Sequence, residues 1–200
     1  MTSNRILIVA GGTGGHVMPA LAVCNGLSER GFDCKFLTDL RGRALLEKIA
    51  PEQNVSIISA SSPISGNILK KVISLYKLSF GVIQSIFYIA RFRPFCIVGF
   101  GGYPSAPPLI AANIYQLPGV LHEQNARVGR ANLFLATHAT TMLVSWKNSK
   151  PLPKNTTVKL TGLPVRNVFF ELASYQEKSE FNTANPCHIL VIGGSLGAEV

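Results

Sequence analysis

The sequence predicts a doubly wound α/β fold, a parallel sheet with helices on both faces. Three observations carry that expectation. Short β-branched runs alternate with helical patterns, as "RILIVA" (5–10), "ALAVCNGLSERG" (20–31) and "CKFLT" (34–38) do at the start of the chain. Three apolar runs end in paired glycines, "ILIVAGGTGG" (6–15), "CIVGFGGYPS" (96–105) and "ILVIGGSLGA" (189–198), where a strand would hand over to a helix. With 47% hydrophobic and 14% charged residues in 200, the chain can bury a sizeable core and is not disordered.

The elements follow in order. "RILIVA" is the first strand, rich in the branched residues that suit a buried sheet. The helix over 20–31 ends at Gly31, and Pro19 suits its first turn, which puts His16 at the mouth of the preceding loop. "CKFLT" is the second strand, "RALLEKIA" (43–50) a helix stopped by Pro51, and "VSIIS" (55–59) a third strand. "FCIVGF" (95–100), "GVLH" (119–122) and "TTMLVS" (140–145) continue the series, with helix candidates between them.

Residues 64–94, "ISGNILKKVISLYKLSFGVIQSIFYIARFRP", admit three readings. Val72–Ala90 is nearly long enough to span a bilayer, although Lys77 and Gln84 interrupt it and Gly81 divides it. A pair of core-packed helices is the second. The third is a membrane-facing patch, in which Lys70, Lys71, Lys77, Arg91 and Arg93 flank apolar residues such as Ile73, Tyr76, Phe80 and Phe87.

A net charge of +9 calls for a polyanionic partner, whether nucleic acid, anionic lipid or a phosphorylated substrate. The basic residues form no long run and no helix-turn-helix, RNP or OB-type signature, so nucleic acid is not expected. Cys24, Cys34, Cys96 and Cys187 are scattered, with no CxxC pair and no metal-ligand spacing, which suits reduced thiols in a cytosolic protein. "MTSNRILIVAGG" does not read as a signal peptide, because its apolar run is short and flows into the glycine loop.

Glycine lets a backbone approach a ligand, and a following helix offers free N–H groups to an anion. "GGTGGH" fits neither GxGxxG in the expected register nor GxxxxGK[ST], and Asp39 is the nearest acid to where a ribose-binding carboxylate would stand. His16 reads either as a polar cap beside a tight turn or as a general base or phosphate donor. In "VLHEQNARVGRAN" (120–132), His122, Glu123, Gln124 and Asn125 follow an apolar strand. Such groups at a strand end are costly unless something polar fills the crevice; Asn125 alone could cap the next helix. "TGLPVRNVFF" (161–170) delivers Arg166 at the start of a short helix candidate, as a solvated charge or a phosphate clamp.

In this order and approximate spacing, "GGTGGH", "GGYPSAPP", "HEQN", "TGLPVR" and "GGSLGA" resemble the motifs of the MurG-type glycosyltransferases over essentially the whole chain. These transfer GlcNAc from UDP-GlcNAc to the C4 hydroxyl of MurNAc in undecaprenyl-pyrophosphoryl-MurNAc-pentapeptide (lipid I), giving lipid II with inversion. The resemblance implies a GT-B architecture: two Rossmann-like domains, the acceptor on the first and the sugar nucleotide mainly on the second. Residues 1–165 would be the acceptor domain, 166–186 the interdomain linker, and 187–200 the first strand of the UDP-GlcNAc domain. It implies UDP-GlcNAc, lipid I, an anionic membrane surface and cell-wall synthesis proteins as partners, and a peripheral place on the cytoplasmic face of the bacterial membrane. No cofactor is implied, and the metal requirement is left open.

Carried over residue by residue, His16 matches the family's candidate base and Glu123 is its nearest carboxylate rival. Thr13, Gly14 and Gly15 match donor-binding positions of the family's first loop, which also lies near the acceptor pyrophosphate; Asn125, Arg166 and Ser195 match donor-binding positions, and Gly101, Gly102 and Tyr103 the acceptor loop. An activated hydroxyl on one face of the sugar and helix N–H groups with an arginine beside the departing UDP agree with those roles. Departures concern detail: Leu163 replaces the Asn of "GNPVR", "GGYPSAPP" stands where "GGYVSGPP" is common, and Leu133 follows Asn132 where a basic residue is frequent. Because family members are longer, the chain is expected to hold the acceptor half and only the threshold of the donor half, and to be incompetent alone. Two other classes remain open: a nucleotide-cofactor oxidoreductase, and a non-catalytic membrane-surface or nucleotide-binding module.

Overall fold

The structure is a computed structural model that describes residues 4–60 and 68–173. The chain divides into two compact units, Met1–Val165 and a second that begins at Arg166. In the first, β1 (Arg5–Val9), α1 (Gly14–Ser28), β2 (Asp33–Thr38), α2 (Leu40–Ile49) and β3 (Val55–Ile57) are followed by α3 (Ile68–Phe92) and β4 (Cys96–Gly99). Then come α4 (Ala106–Ile114), β5 (Gly119–Glu123), α5 (Arg130–Leu135), β6 (Thr141–Val144) and β7 (Thr157–Leu160). Of the second unit, α6 (Asn167–Ala173) is described.

The described strands form one parallel sheet in the order β3-β2-β1-β4-β5-β6-β7. This is the doubly wound arrangement expected: the chain runs outward from β1 through β2 to β3, then returns to lay β4 on the other side of β1. Alternation along β1 separates two cores. Ile6 and Ile8 pack with Leu21, Phe36 and Leu46 beneath α1 and α2, whereas Leu7 and Val9 pack with Ile97, Leu109, Leu121 and Met142 on the opposite face.

Three elements differ from expectation. α1 begins at Gly14, so Pro19 lies inside the helix and His16 sits within its first turn, not in the loop before it. Thr13, extended at φ −122° and ψ 150°, opens the helix by accepting from the N–H groups of His16 and Val17 at 3.0 Å.

Residues 68–92 form one continuous helix, not a pair. Gly81 marks a close approach and no break: a Cβ there would collide with the Ser59 carbonyl. Ser74, Gly81 and Ser85 face inward, while Val72, Ile73, Tyr76, Phe80, Ile83 and Phe87 are 46–71% exposed. The helix is therefore apolar on the outside, while its inner face mixes Ser74, Gly81 and Ser85 with Leu78, Ile89 and Phe92, which join the core. By length and composition alone, Lys71–Phe92 could cross a membrane.

β7 was not expected. It is a sheet edge whose residues are mostly exposed, Leu160 to 58%, so it carries no pattern of burial.

Candidate functional site

In a sheet of this kind a crevice opens where neighbouring strands leave in opposite directions, here at the carboxyl ends of β1 and β4. Gly11–His16 and Phe100–Ser105 meet there. A methyl group on Gly11 would lie 2.8 Å from Pro104 Cδ and 3.3 Å from Gly102 Cα, so the two loop backbones touch because neither has a side chain. Gly101 and Gly102 have φ of +88° and +74°, a region that favours glycine. Ser105 Oγ donates to the Gly101 carbonyl at 2.8 Å and fixes that turn.

The first loop is pinned from the other side by Asp39, which caps α2. Its Oδ1 accepts from Gly42 N at 2.9 Å and Gly12 N at 3.2 Å, and its Oδ2 pairs with Arg41 at 3.1 Å. The acid nearest a ribose-binding position is thus fully engaged in shaping the loop.

Gly14 and Gly15, the first two residues of α1, have nothing within 4 Å of where a Cβ would stand. Their N–H groups belong to the first turn, which has no intrahelical acceptors, and they border open space. His16 follows, half-buried, its Nδ1 2.9 Å from Thr13 Oγ1, and its Nε2 has no hydrogen-bond partner among the described residues. Its ring lies against Gly101: a methyl there would be 3.2 Å from His16 Cδ2 and 2.8 Å from Asn132 Oδ1. Burial lowers the His16 pKa below 6.5, and the Glu123 charge opposes that shift. The imidazole is therefore neutral at pH near 7, as a base must be.

Behind the crevice stands Glu123, 1% exposed at the end of β5. Its Oε1 accepts from Asn125 N at 2.9 Å and Asn125 Nδ2 at 3.1 Å; its Oε2 accepts from Gly129 N at 2.9 Å and Asn132 Nδ2 at 2.8 Å. One carboxylate thereby folds the whole 123–132 segment. Asn125 turns back to Glu123 and does not cap α5, whose N-terminal flank is Gly129. Gln124 Nε2 donates to the Phe100 carbonyl at 2.9 Å, tying this segment to β4. His122 Nε2 pairs with the Gly162 carbonyl at 3.1 Å, and burial lowers its pKa although that bond and Glu123 act the other way. His122 Nδ1, Gln124 Oε1 and Asn132 Oδ1 are buried acceptors with no donor among the described residues.

Of the residues expected from sequence, Thr13, Gly14, Gly15, His16, Gly101, Gly102 and Tyr103 border one crevice, with Glu123 behind it and Asn125 on its bend. Arg166 belongs to the second unit, where its guanidinium lies 5.2 Å from the Phe169 ring centre. Ser195, the strand expected over 187–200, most of the 166–186 segment and the Lys70 side chain lie outside the described residues. Lys71, Ile73, Tyr76, Phe80 and Phe87 lie exposed on α3. Sequence reasoning missed Asp39 as the loop anchor and Asn132 as the partner of Glu123. The signal for Asn132 was a polar residue amid apolar neighbours, nine positions after the glutamate. Among the described residues no group of three or more His, Cys, Asp and Glu is gathered as metal ligands.

Residues 6–144 match the glycosyltransferase family 28 N-terminal domain. A Methylorubrum extorquens (strain PA1) protein, named UDP-N-acetylglucosamine--N-acetylmuramyl-(pentapeptide) pyrophosphoryl-undecaprenol N-acetylglucosamine transferase, is 36% identical over 98% of this chain and 53% of its own length. A protein of the same name from Rhizobium rhizogenes (strain K84) is 37% identical over 100% of this chain and 53% of its own length. The crystal structure of Acinetobacter baumannii MurG superposes with a TM-score of 0.70 at 28% identity, over 96% of this chain and 53% of that one. The chain spans about half the length of the curated relatives it matches.

Proposed function

The chain belongs to the glycosyltransferase family 28 N-terminal domains, and on that premise we propose that it is the acceptor half of an inverting transferase. The full protein moves GlcNAc from UDP-GlcNAc to the C4 hydroxyl of MurNAc in lipid I, making lipid II. The observation that carries this reading is His16: a neutral imidazole against Gly101 in an open crevice, with Nδ1 beside Thr13 Oγ1 and Nε2 unpaired among the described residues.

With Nδ1–H donating to Thr13 Oγ1, Nε2 holds a lone pair and accepts the hydroxyl proton as the oxygen bonds to the anomeric carbon. The bond to UDP breaks and its electron pair leaves with the phosphate. The imidazolium so formed is stabilised by the Glu123 carboxylate. Glu123 itself is a positioning residue, because both of its oxygens are already occupied. The N–H groups of Gly14 and Gly15 meet the acceptor pyrophosphate, where a side chain would hold it off. Gly101, Gly102 and Tyr103 flank the acceptor sugar, whereas Asn125, Arg166 and Ser195 serve the donor together with the rest of the protein. The exposed apolar face of α3, with Lys71, Lys77 and Arg91 along it, seats the enzyme peripherally on the anionic cytoplasmic face of the membrane.

The test is His16→Ala in a protein that joins this chain to the remaining half of the relatives' length. Loss of the base should lower kcat by about 10²–10⁴-fold with the acceptor KM little changed. Unchanged turnover would remove His16 from the mechanism.

A further inference from the structure

Beside the crevice an apolar groove of about 330 Å³ runs between α3 and α5. Leu75 and Leu78 form one wall, and Ala131, Phe134 and Leu135 the other. Two further lining residues, Tyr103 and Arg130, lie on the segments that carry Gly101 and Asn132, which pack together beside His16. Tyr103 directly follows the Gly101–Gly102 pair, and the exposed Arg130 follows Gly129, whose N–H is held by Glu123. On its other side the groove joins the apolar face of α3 through Leu75, which is 58% exposed. The groove thus shares the 101–103 turn and the start of α5 with the crevice, and Leu75 with the apolar face of α3.

We propose that this groove holds the first isoprene units of the lipid-linked acceptor, with Arg130 meeting the pyrophosphate that joins lipid to sugar. This rests on the acceptor reading above. That acceptor has its parts in fixed order, sugar, pyrophosphate, polyprenyl chain. With the sugar hydroxyl at His16 and the pyrophosphate at Gly14 and Gly15, the groove continues that line to the face of α3 that meets the bilayer. Its volume is at the lower end for ligand sites, room for the start of the chain, the rest of which stays in the membrane. The lining suits a linear series of methyl-bearing alkenes and offers little to a sugar or a peptide.

The experiment is calorimetric titration of the chain with two synthetic acceptors sharing a pyrophosphoryl-MurNAc-pentapeptide head, one ending in methyl and the other in farnesyl. The same titrations are run on Leu75→Asp and Phe134→Asp, both positions being more than half exposed, so the fold can accept the change. Burial of a few isoprene carbons should make the farnesyl compound bind about 10- to 100-fold more tightly than the methyl one. Each variant should bring its affinity to within about threefold of the methyl compound, while retained methyl-compound affinity shows that the crevice is intact. Equal binding of the two compounds by the unaltered chain would overturn the groove and leave the acceptor reading standing. A farnesyl advantage that persists in both variants would also overturn it, by putting the tail elsewhere. Failure of both compounds to bind would sink the acceptor reading and the groove with it.

Discussion

Replacing Glu123 tests how the crevice is built. The carboxylate accepts four hydrogen bonds at 2.8–3.1 Å while 1% exposed. In Glu123→Ala the exposed Asn125 and Gly129 can turn their freed donors to water, at least in part, but Asn132 is 3% exposed and cannot. Hydrogen bonds to a charged group are worth about 1.5–3 kcal/mol each. Losing the equivalent of two, less the desolvation of the carboxylate that is no longer required, amounts to about 3–4 kcal/mol. For a domain of this size that corresponds to a fall in Tm of roughly 6–16 °C. Glu123→Gln keeps the shape but turns an NH2 group towards two existing donors, so it should fall between the wild type and the alanine variant. Urea denaturation followed by far-UV circular dichroism would measure both. A glutamine variant as stable as the wild type, or an alanine loss below about 1 kcal/mol, would refute the account of Glu123 as the hub of the 123–132 segment.

The two kinds of glycine in the crevice should behave oppositely. Gly101→Ala is strained at φ +88° and meets Asn132 and His16, so unfolding free energy should drop by about 1–3 kcal/mol. Gly14→Ala, a helix position with open space, should leave stability equal or up to about 1 kcal/mol higher yet weaken pyrophosphate-bearing ligands; a destabilised Gly14 variant with normal binding would contradict this. Burial lowers the folded-state pKa of both His16 and His122 below 6.5, so on acidification the unfolded chain takes up protons first. Their contribution is whole above that value and is lost as pH falls through it towards the folded-state values, by up to about 1.4 kcal/mol per pH unit per histidine. Urea titrations should show that loss and a shallower slope in His122→Gln; an identical slope would exclude His122 as a source. Tyr76→Glu with Phe87→Glu should abolish sedimentation with phosphatidylglycerol vesicles, and binding by the double variant equal to wild type would clear α3 of a membrane role.

The fold class was legible because buried parallel strands are short aliphatic runs and their loops are glycine pairs. What the sequence hid follows from physics that acts over distance. The extent of α1 was misjudged because Pro19 looks like a helix start, whereas the helix begins at Gly14, a poor helix former placed there by the loop it must leave. α3 was read as one helix only in the bilayer-spanning alternative, because Gly81 looks like a break until the Ser59 carbonyl is seen beneath it. β7 is nearly bare of burial and left no pattern. The residues around His16 were visible as motifs, but the fourfold bonding of Glu123 was not, since its partner Asn132 comes from a helix that only the folded loop brings near. Asp39 was noticed for a role it does not have room to play.

The switch point between β1 and β4 also sets an order of assembly. β1 can pair with β2 as soon as α1 is made, but its partner on the other side arrives only after β2, β3 and all of α3. The touching glycines of the two loops are therefore among the most non-local contacts of the sheet, and their closure entropy must be met late in folding. On a ribosome, the crevice cannot exist until the residues through Ser105 have emerged, by which time the apolar outer face of α3 is already exposed. A nascent chain thus exposes the apolar outer face of α3 before its crevice is complete.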